Sequence, residues 1–208
     1  MIETPQGAAR AFLQPAEEPR GALVLGHGAG GGVGAPDIVA ASGVAASLGL
    51  SVALVEQPYR VAGRKAPPRA PHLDAAWIAV VEHLRREELG ALPLVTGGRS
   101  SGARVACRTA GATQAAAVLC LAFPLQPPRR EGAAPAPSRL AELAEVSVPV
   151  LIVQGERDPF GLPPSAPSRQ VTIVRGDHSL RTDLGVLAAA VESWLRETVL
   201  GETAGRTT

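Results

Sequence analysis

The stretch PLVTGGRSSGARVA, residues 93–106, decides the fold of this chain. It joins an apolar run of strand type to a segment of helical composition through Gly98-Arg99-Ser100-Ser101-Gly102, a G-x-S-x-G sequence. A serine at such a strand-to-helix turn adopts a strained backbone with positive φ, which brings the residues two positions before and after it close to neighbouring backbone. Gly98 and Gly102 fit that requirement, so the stretch predicts a nucleophile elbow that carries Ser100.

The rest of the chain alternates short apolar runs, rich in Val, Leu and Ile, with longer segments of helical periodicity. This alternation is typical of an α/β fold with a mostly parallel central sheet flanked by helices, and the continuous apolar runs predict strands buried on both faces. The predicted strands are Ala11–Gln14 (an antiparallel edge), Ala22–Leu25, Val52–Glu56, Leu92–Thr96, Ala116–Ala122, Val148–Gln154 and Gln170–Val174. The predicted helices are Asp37–Leu48, Asp74–Glu88, Ser101–Ala112, Arg139–Val146 and Asp183–Leu200, whose aspartates are candidates for N-cap or first-turn carboxylates.

Two polar residues follow later strands directly. Asp158 comes after Val148–Gln154, and His178 comes after Gln170–Val174. The carboxyl ends of parallel strands form the edge of a sheet where ligands bind. Nucleophile, acid and histidine in this chain order are typical of an α/β-hydrolase triad, so the sequence predicts Ser100 as nucleophile, Asp158 as the orienting acid and His178 as the base.

Asp177 is a second candidate for the acid, because it adjoins His178. Side chains of consecutive loop residues rarely point into a mutual hydrogen bond on a ring nitrogen. We therefore favour Asp158 as the acid and expect Asp177 to shape the loop.

The glycine-rich stretch LGHGAGGGVG, residues 25–34, fits two kinds of chemistry. Its spacing Gly26-x-Gly28-x-x-Gly31 is that of a dinucleotide-binding fingerprint, and Glu56 ends the next strand, where a ribose-binding acid would lie. In that motif the pyrophosphate rests on a helix that begins within the fingerprint, whereas here glycine continues until Pro36. No nucleotide or other cofactor is therefore predicted.

We interpret the same loop as a source of backbone N–H groups for an oxyanion. The predicted oxyanion hole consists of the N–H of Ser101, at the start of a helix, and that of Ala29, with Gly30 as the second choice. His27 is expected to support the loop.

Length and composition restrict the class of protein further. A chain of 208 residues, 46% hydrophobic and 19% charged, suits one folded domain, predicted over residues 1–200 with a frayed tail at 201–208. The net charge of +1 and the aromatic content of 3% give no basis for nucleic-acid binding. No apolar run reaches the ~18 residues that span a bilayer, no export signal is recognisable, and the expected location is the cytoplasm. Cys107 and Cys120 are expected to be buried thiols, and no metal is predicted because no zinc-ligand spacing occurs.

Five motifs occur in order between about residues 21 and 198: LGHGAGGG, GGRSSGAR, LAFPLQPP, VQGERDPFG and GDHSL. Together they resemble the small lidless α/β-hydrolases of the dienelactone-hydrolase-like group. More narrowly, they resemble the branch that contains the testis-expressed Tex-type proteins and the scaffold subunit of the NSL histone-acetyltransferase complex. The resemblance implies an α/β-hydrolase fold without a lid domain, Ser100, Asp158 and His178 at the triad positions, and loop 28–30 at the oxyanion position.

The chain departs from these relatives at two positions. Dienelactone hydrolases proper use cysteine as nucleophile, where this chain has Ser100, and related sequences carry histidine in a Leu-His-Pro-Pro segment where this chain has Gln126. Arg99 leaves two interpretations open. It could present a cation to an anionic substrate, or form an ion pair directed away from the nucleophile, which we prefer, and the same alternatives hold for Arg104.

Two functions from different classes follow from these patterns. The complete set of nucleophile, acid and base predicts a serine hydrolase that cleaves carboxylic esters of small acyl substrates through an acyl-enzyme. Its proline-rich loops, 65–71, 124–137 and 158–167, are too short for a lid domain, which favours short acyl chains. The alternative is an interaction module that retains the fold without catalysis, because one fold serves unrelated functions.

Overall fold

The apolar runs form the strands of one sheet in the computed structural model, which describes residues 1–127 and 136–202. The elements are β1 (Arg10–Gln14), β2 (Gly21–Gly26), α1 (Pro36–Ser47), β3 (Leu50–Glu56), α2 (Pro58–Val61), α3 (Ala70–Leu84), β4 (Leu94–Arg99), α4 (Ser101–Thr109), β5 (Ala117–Leu121), α5 (Leu140–Ala144), β6 (Val150–Gly155), β7 (Arg169–Val174) and α6 (Leu184–Thr198). The strand order is β1-β3-β2-β4-β5-β6-β7. Only β1 runs antiparallel to its neighbour, so the predicted α/β class with a mostly parallel sheet is confirmed.

Helices cover both faces of this sheet. α1 and α6 pack together on one face, where Ile38 and Trp194 join the core, and α3 and α4 pack together on the other, where Trp77 and Val105 do so. Every residue of β2, β5 and β6 is buried, as their apolar composition predicts. The carboxyl ends of the parallel strands therefore meet along one edge, between the two helical layers.

The predicted start of α3 at Asp74 is wrong. The helix begins at Ala70 and includes Pro71 in its first turn, where the missing N–H of proline costs nothing because it would have no helical partner. A π-helical turn over Arg85–Leu89 follows the helix. Asp74 consequently lies inside α3, where its carboxylate pairs with Arg108 of α4 at 2.6 Å and does not cap a helix.

The two cysteines lie in the hydrophobic core between α4 and the sheet. Cys107 of α4 and Cys120 of β5 are both buried and free, as predicted. Their Sγ atoms are 3.5 Å apart, far beyond the ~2.05 Å of a disulfide bond.

Candidate active site

Ser100 occupies a sharp turn between β4 and α4. Its φ of 53° and ψ of −107° lie in a region that L-residues rarely adopt, and its N–H donates a hydrogen bond to the carbonyl of Leu121, at 2.8 Å. A Cβ on Gly98 would lie 2.5 Å from the Gly26 carbonyl oxygen, and one on Gly102 would lie 2.7 Å from the same atom. Both glycines are therefore required sterically where the elbow crosses the end of β2.

The structure brings Ser100, His178 and Asp158 together in one hydrogen-bonded series. The Oγ of Ser100 lies 2.9 Å from Nε2 of His178, and Nδ1 of His178 lies 2.8 Å from Oδ2 of Asp158. Asp158 is buried and His178 is mostly buried, so both contacts are shielded from bulk water. This geometry allows the imidazole to exchange a proton with the serine while the carboxylate holds its other nitrogen.

The carboxylate of Asp158 is fixed by two further donors. The side-chain amide of Gln154 donates to Oδ2 and the backbone N–H of Phe160 donates to Oδ1, each at 2.8 Å. The ring of Phe160 also packs against the imidazole of His178, with 4.4 Å between ring centroids. The acid is therefore held in one orientation toward the histidine.

Asp177 plays no part in that series. Its Oδ1 accepts hydrogen bonds from the N–H of Ser179, at 2.8 Å, and from the Ser179 hydroxyl, at 2.6 Å. These bonds hold the pKa of Asp177 below its usual range. The side chain shapes the loop that presents His178, in line with the interpretation from sequence.

The loop after β2 is held through its carbonyl groups. His27 Nδ1 lies 2.8 Å from the carbonyl oxygen of Gly28, and the hydroxyl of Tyr59 donates to the carbonyl of Ala29 at 3.1 Å. The N–H of Gln57 donates to Nε2 of His27 at 3.1 Å. Nε2 must therefore be the unprotonated nitrogen, so Nδ1 carries the proton and donates a hydrogen bond to the carbonyl oxygen of Gly28.

These bonds determine where the N–H groups of the loop point. In a trans peptide the N–H points opposite to the carbonyl, so fixing the Gly28 and Ala29 carbonyls turns the N–H groups of Ala29 and Gly30 to the other side. Within residues 1–127 and 136–202 neither N–H, nor that of Ser101, has a hydrogen-bond acceptor. A Cβ on Gly28 would lie 3.5 Å from the Cβ of Ser100, so the loop passes directly beside the serine.

Burial lowers the pKa of His27, which keeps the imidazole neutral in the folded protein. In the unfolded chain the same group binds a proton below about pH 6.5. Below about pH 6.5 the unfolded chain therefore binds a proton at His27 that the folded protein does not bind. The free energy of unfolding consequently decreases as the pH falls through about 6.5. We expect wild type to lose more unfolding free energy than His27→Gln between pH 7.5 and 5.5, by up to about 1.4 kcal/mol per pH unit, in urea titrations.

The matched control is His83→Gln, which removes a histidine in the last turn of α3 and should keep the pH dependence that His27 causes. Equal pH dependence in wild type and His27→Gln would contradict a neutral His27.

Arg99 forms the ion pair of the preferred interpretation and makes one further contact close to the site. Its Nε lies 3.1 Å from Oδ2 of Asp37, a fully buried residue of α1. Its Nη2 donates to the backbone carbonyl of His178 at 2.8 Å. Burial raises the pKa of Asp37, and the Arg99 guanidinium acts against that increase. Arg99 therefore forms an ion pair, but it also ties the histidine loop to α1.

Arg104 and Gln126 have structural partners. Arg104 forms a two-pronged ion pair with Glu142 of α5, which holds the pKa of Glu142 below its usual range, and so follows the preferred interpretation. The side chain of Gln126 donates to the carbonyl of Ala136, and its N–H donates to the carbonyl of Phe160 at 2.8 Å. Gln126 thus bonds to Ala136 and to Phe160, the residue whose ring packs against the imidazole of His178.

Two observations in the sequence favour a dinucleotide site, the glycine spacing and the position of Glu56, and the structure gives each of them another explanation. α1 begins at Pro36, as the glycine run implies, so no helix N-terminus lies within the fingerprint. Glu56 pairs with Arg10 of β1, with 3.5 Å between Nη1 and Oε2. In the described part of the chain, no cluster of three His, Cys, Asp or Glu side chains is arranged to hold a metal ion.

Sequence reasoning missed Gln154, Tyr59 and Asp37, each of which holds part of the site. Gln154 is a polar residue that ends an apolar strand, and Tyr59 is the single tyrosine of the chain, shortly after another strand end. Both features could have indicated a role. Asp37 gave no such signal, because a carboxylate in the first turn of a helix has an ordinary local explanation.

The fold and the elbow define the class of protein, which is that of the α/β hydrolases. A family model described as an alpha/beta hydrolase domain matches residues 19–185, so the chain belongs to that family. No curated protein matches the chain. No helix in the described ranges combines the length and the apolar composition that crossing a membrane requires.

Solved structures show the same fold at low sequence identity. An alpha-beta serine hydrolase homologue from Coxiella burnetii has a TM-score of 0.72 and 18% identity, over 92% of this chain and 93% of its own. A serine hydrolase without a lid from Xanthomonas campestris has a TM-score of 0.70 and 18% identity, over 98% and 94%. A dienelactone hydrolase from Anabaena variabilis has a TM-score of 0.74 and 16% identity, over 95% of each chain. The fold is thus that of lidless hydrolases, as predicted.

Proposed function

We propose that the protein is a serine hydrolase that cleaves carboxylic esters of small acyl substrates, with Ser100, His178 and Asp158 as its catalytic triad. The observation that carries the proposal is the series of hydrogen bonds of 2.9 and 2.8 Å that starts at a serine with positive φ. Strain of this kind persists where the surrounding structure enforces it, and it clusters at active sites, where it is part of the mechanism.

The reaction begins when Oγ of Ser100 attacks the ester carbonyl carbon while Nε2 of His178 takes the hydroxyl proton. The carbonyl oxygen becomes an oxyanion, which the N–H groups of Ser101 and Ala29 stabilise, with Gly30 as the alternative donor. His178 then gives its proton to the leaving alkoxide, and an acyl-enzyme remains on Ser100.

Water completes the cycle by the same route. His178 takes a proton from water as the water oxygen attacks the acyl carbon, and it returns a proton to Oγ as the acid leaves. Asp158 holds Nδ1–H throughout and stabilises the imidazolium formed in each half-reaction. The N–H groups of Ala29, Gly30 and Ser101, none of which has a hydrogen-bond acceptor in the described ranges, support this assignment of the oxyanion hole.

The proposal extends to three finer points. The five motifs support membership of the branch with the Tex-type proteins and the NSL-complex subunit. The match of the family model to residues 19–185 supports a single domain over residues 1–200. Of the tail expected at residues 201–208, residues 203–208 lie outside the described residues. The unbonded thiols of Cys107 and Cys120 support a reducing compartment such as the cytoplasm.

A fluorophosphonate probe tests the proposal directly, because it reacts with activated serines. We expect labelling of native protein on Ser100, in the tryptic peptide Ser100–Arg104, where tandem mass spectrometry separates Ser100 from Ser101. Ser101→Ala keeps its backbone N–H and should still be labelled, whereas Ser100→Ala should not be. Absence of label in native wild type would refute the proposal and favour the non-catalytic interaction module. Label retained in Ser100→Ala would refute Ser100 as the nucleophile.

A further inference from the structure

A cavity of about 570 Å³ is lined in part by Tyr59, whose hydroxyl donates to the glycine-rich loop at Ala29. Its walls come from the N-terminal segment at residues 6–8, the segment Gln57–Arg64 and the start of α3 at residues 68–73, and we call it the β3–α3 cavity. Gln57 follows β3 directly, so the cavity lies at the same sheet edge as Ser100. Its volume is that of a small-molecule site, for which about 300–1,000 Å³ is usual.

The chain around this cavity carries an excess of positive charge. Between Glu56 and Asp74 there are four basic residues and no acidic ones: Arg60, Arg64, Lys65 and Arg69. The net charge of the whole chain is only +1, so this segment is a local concentration. Arg64 and His72 line the cavity itself.

In the described residues these four cations lack carboxylate partners, whereas nine of the other 13 arginines described there have one. Nine other arginines form ion pairs in the described ranges: Arg10, Arg20, Arg86, Arg99, Arg104, Arg108, Arg157, Arg175 and Arg196. Within residues 1–127 and 136–202, none of the four basic residues near the cavity does so. Arg64 lines the cavity, and the other three cations flank its lining residues in sequence, so the local charge favours an anion there.

The remaining lining favours an apolar body on that anion. Pro58, Tyr59 and Leu73 are buried side chains that form one wall, and Val61 extends it. A bare inorganic anion would leave this wall in contact with water. The lining fits a small carboxylate with an aromatic or branched aliphatic body.

Two hydrogen-bonded links join the cavity wall to the glycine-rich loop. Tyr59 lines the cavity and donates to the carbonyl of Ala29, while the N–H of Gln57, another lining residue, donates to His27, which holds the carbonyl of Gly28. Both carbonyls that orient the loop are therefore held from the cavity side. A ligand that moves Tyr59 would also move the Ala29 carbonyl and, with it, the N–H of Gly30 in the same peptide unit.

We propose that the β3–α3 cavity is a second binding site, which takes a small organic carboxylate with an apolar body and transmits its occupancy to the glycine-rich loop. The argument for binding uses only the lining and the charge of the cavity and does not depend on catalysis. Transmission to catalysis rests on the proposed function.

Binding can be measured by titrating benzoate into ¹⁵N-labelled protein of 21.3 kDa and following amide shifts. We expect saturable shifts in residues 57–73 and weakening by added NaCl. Benzyl alcohol, similar in size but neutral, and inorganic phosphate, charged but without an apolar body, should each bind at least tenfold more weakly. Equal affinity for benzyl alcohol would overturn the anionic requirement, and equal affinity for phosphate would overturn the apolar one.

The double variant Arg64→Gln with His72→Gln should bind benzoate at least tenfold more weakly, while its spectrum shows an intact fold. Arg86→Gln, an exposed arginine elsewhere on the surface, is the matched control and should bind as wild type. Unchanged affinity in the double variant, or benzoate shifts confined to the surroundings of Ser100 and His178, would overturn the site.

Coupling is measured separately, by rates of p-nitrophenyl acetate hydrolysis with and without saturating benzoate. We expect benzoate to change kcat/KM in wild type, and the change to be lost in Tyr59→Phe, which lacks the bond to Ala29. Binding without any effect on the wild-type rate would overturn the coupling and leave the site in place. Because the amide shifts need no turnover, failure of the proposed hydrolase function leaves the binding test valid.

Discussion

Replacement of Asp158 by asparagine is expected to lower kcat for p-nitrophenyl acetate by about four orders of magnitude, the size of effect that a wrong histidine tautomer produces in serine hydrolases. The side-chain volume is unchanged and the fold should remain intact. The loss follows from the hydrogen bonds that surround the carboxylate.

The N–H of Phe160 needs an acceptor, so the amide oxygen of the new asparagine would take the place of Oδ1. The amide of Gln154, which now donates to Oδ2, would keep the carbonyls of Phe123 and Gly161 as acceptors for its two protons. Its NH₂ group would then face Nδ1 of His178, where Oδ2 now accepts a hydrogen bond. Because the amide can only donate there, Nδ1 must become the acceptor and the proton moves to Nε2. An imidazole protonated on Nε2 has no lone pair to take the proton of Ser100.

Asp177→Asn is the matched control, since it removes the neighbouring carboxylate that sequence reasoning weighed as the rival acid. It should change kcat only a few-fold, because Asp177 bonds to Ser179 and not to the imidazole. Urea titration of each variant shows whether it is folded. A similar loss in Asp177→Asn, or near-wild-type kcat in Asp158→Asn, would contradict the assigned roles.

The three residues of the series could be found from sequence because each lies directly after a predicted strand. In a parallel sheet, local strand patterns fix which ends meet at one edge, so no knowledge of distant contacts is needed. The glycines around Ser100 add a steric signal that is also local. The fold class could be predicted for the same reason, since periodicity and burial of β2, β5 and β6 are properties of single strands.

The residues that hold the site in place could not be predicted in this way. Asp37 and Arg99 lie 62 positions apart in sequence, and each alone fits an ordinary local role, as a first-turn carboxylate and as the variable residue of the elbow. The prediction for Asp74 is wrong for the same reason, because an aspartate before a segment of helical periodicity fits an N-cap or first-turn carboxylate. The partner of a buried charge is decided by tertiary packing, which overrides such local preferences.

Arg99→Gln is expected to lower both the stability of the fold and kcat/KM. Asp37 is fully buried and would lose its counter-ion, and removing one member of a buried pair costs about 3–5 kcal/mol. The carbonyl of His178 would also lose the donor that ties its loop to α1. We expect kcat to fall about ten- to hundredfold, the effect of misplacing a catalytic group by about 1 Å, with little change in KM.

The double variant Arg99→Met with Asp37→Leu separates these two effects. Replacing both charges with apolar side chains of similar size leaves no unpaired carboxylate, so stability in urea should return close to that of wild type. The hydrogen bond to the His178 carbonyl stays absent, so kcat should remain low. Recovery of kcat together with stability would instead mean that Arg99 acts only on folding, because an anchor for the histidine loop cannot be restored by an apolar pair.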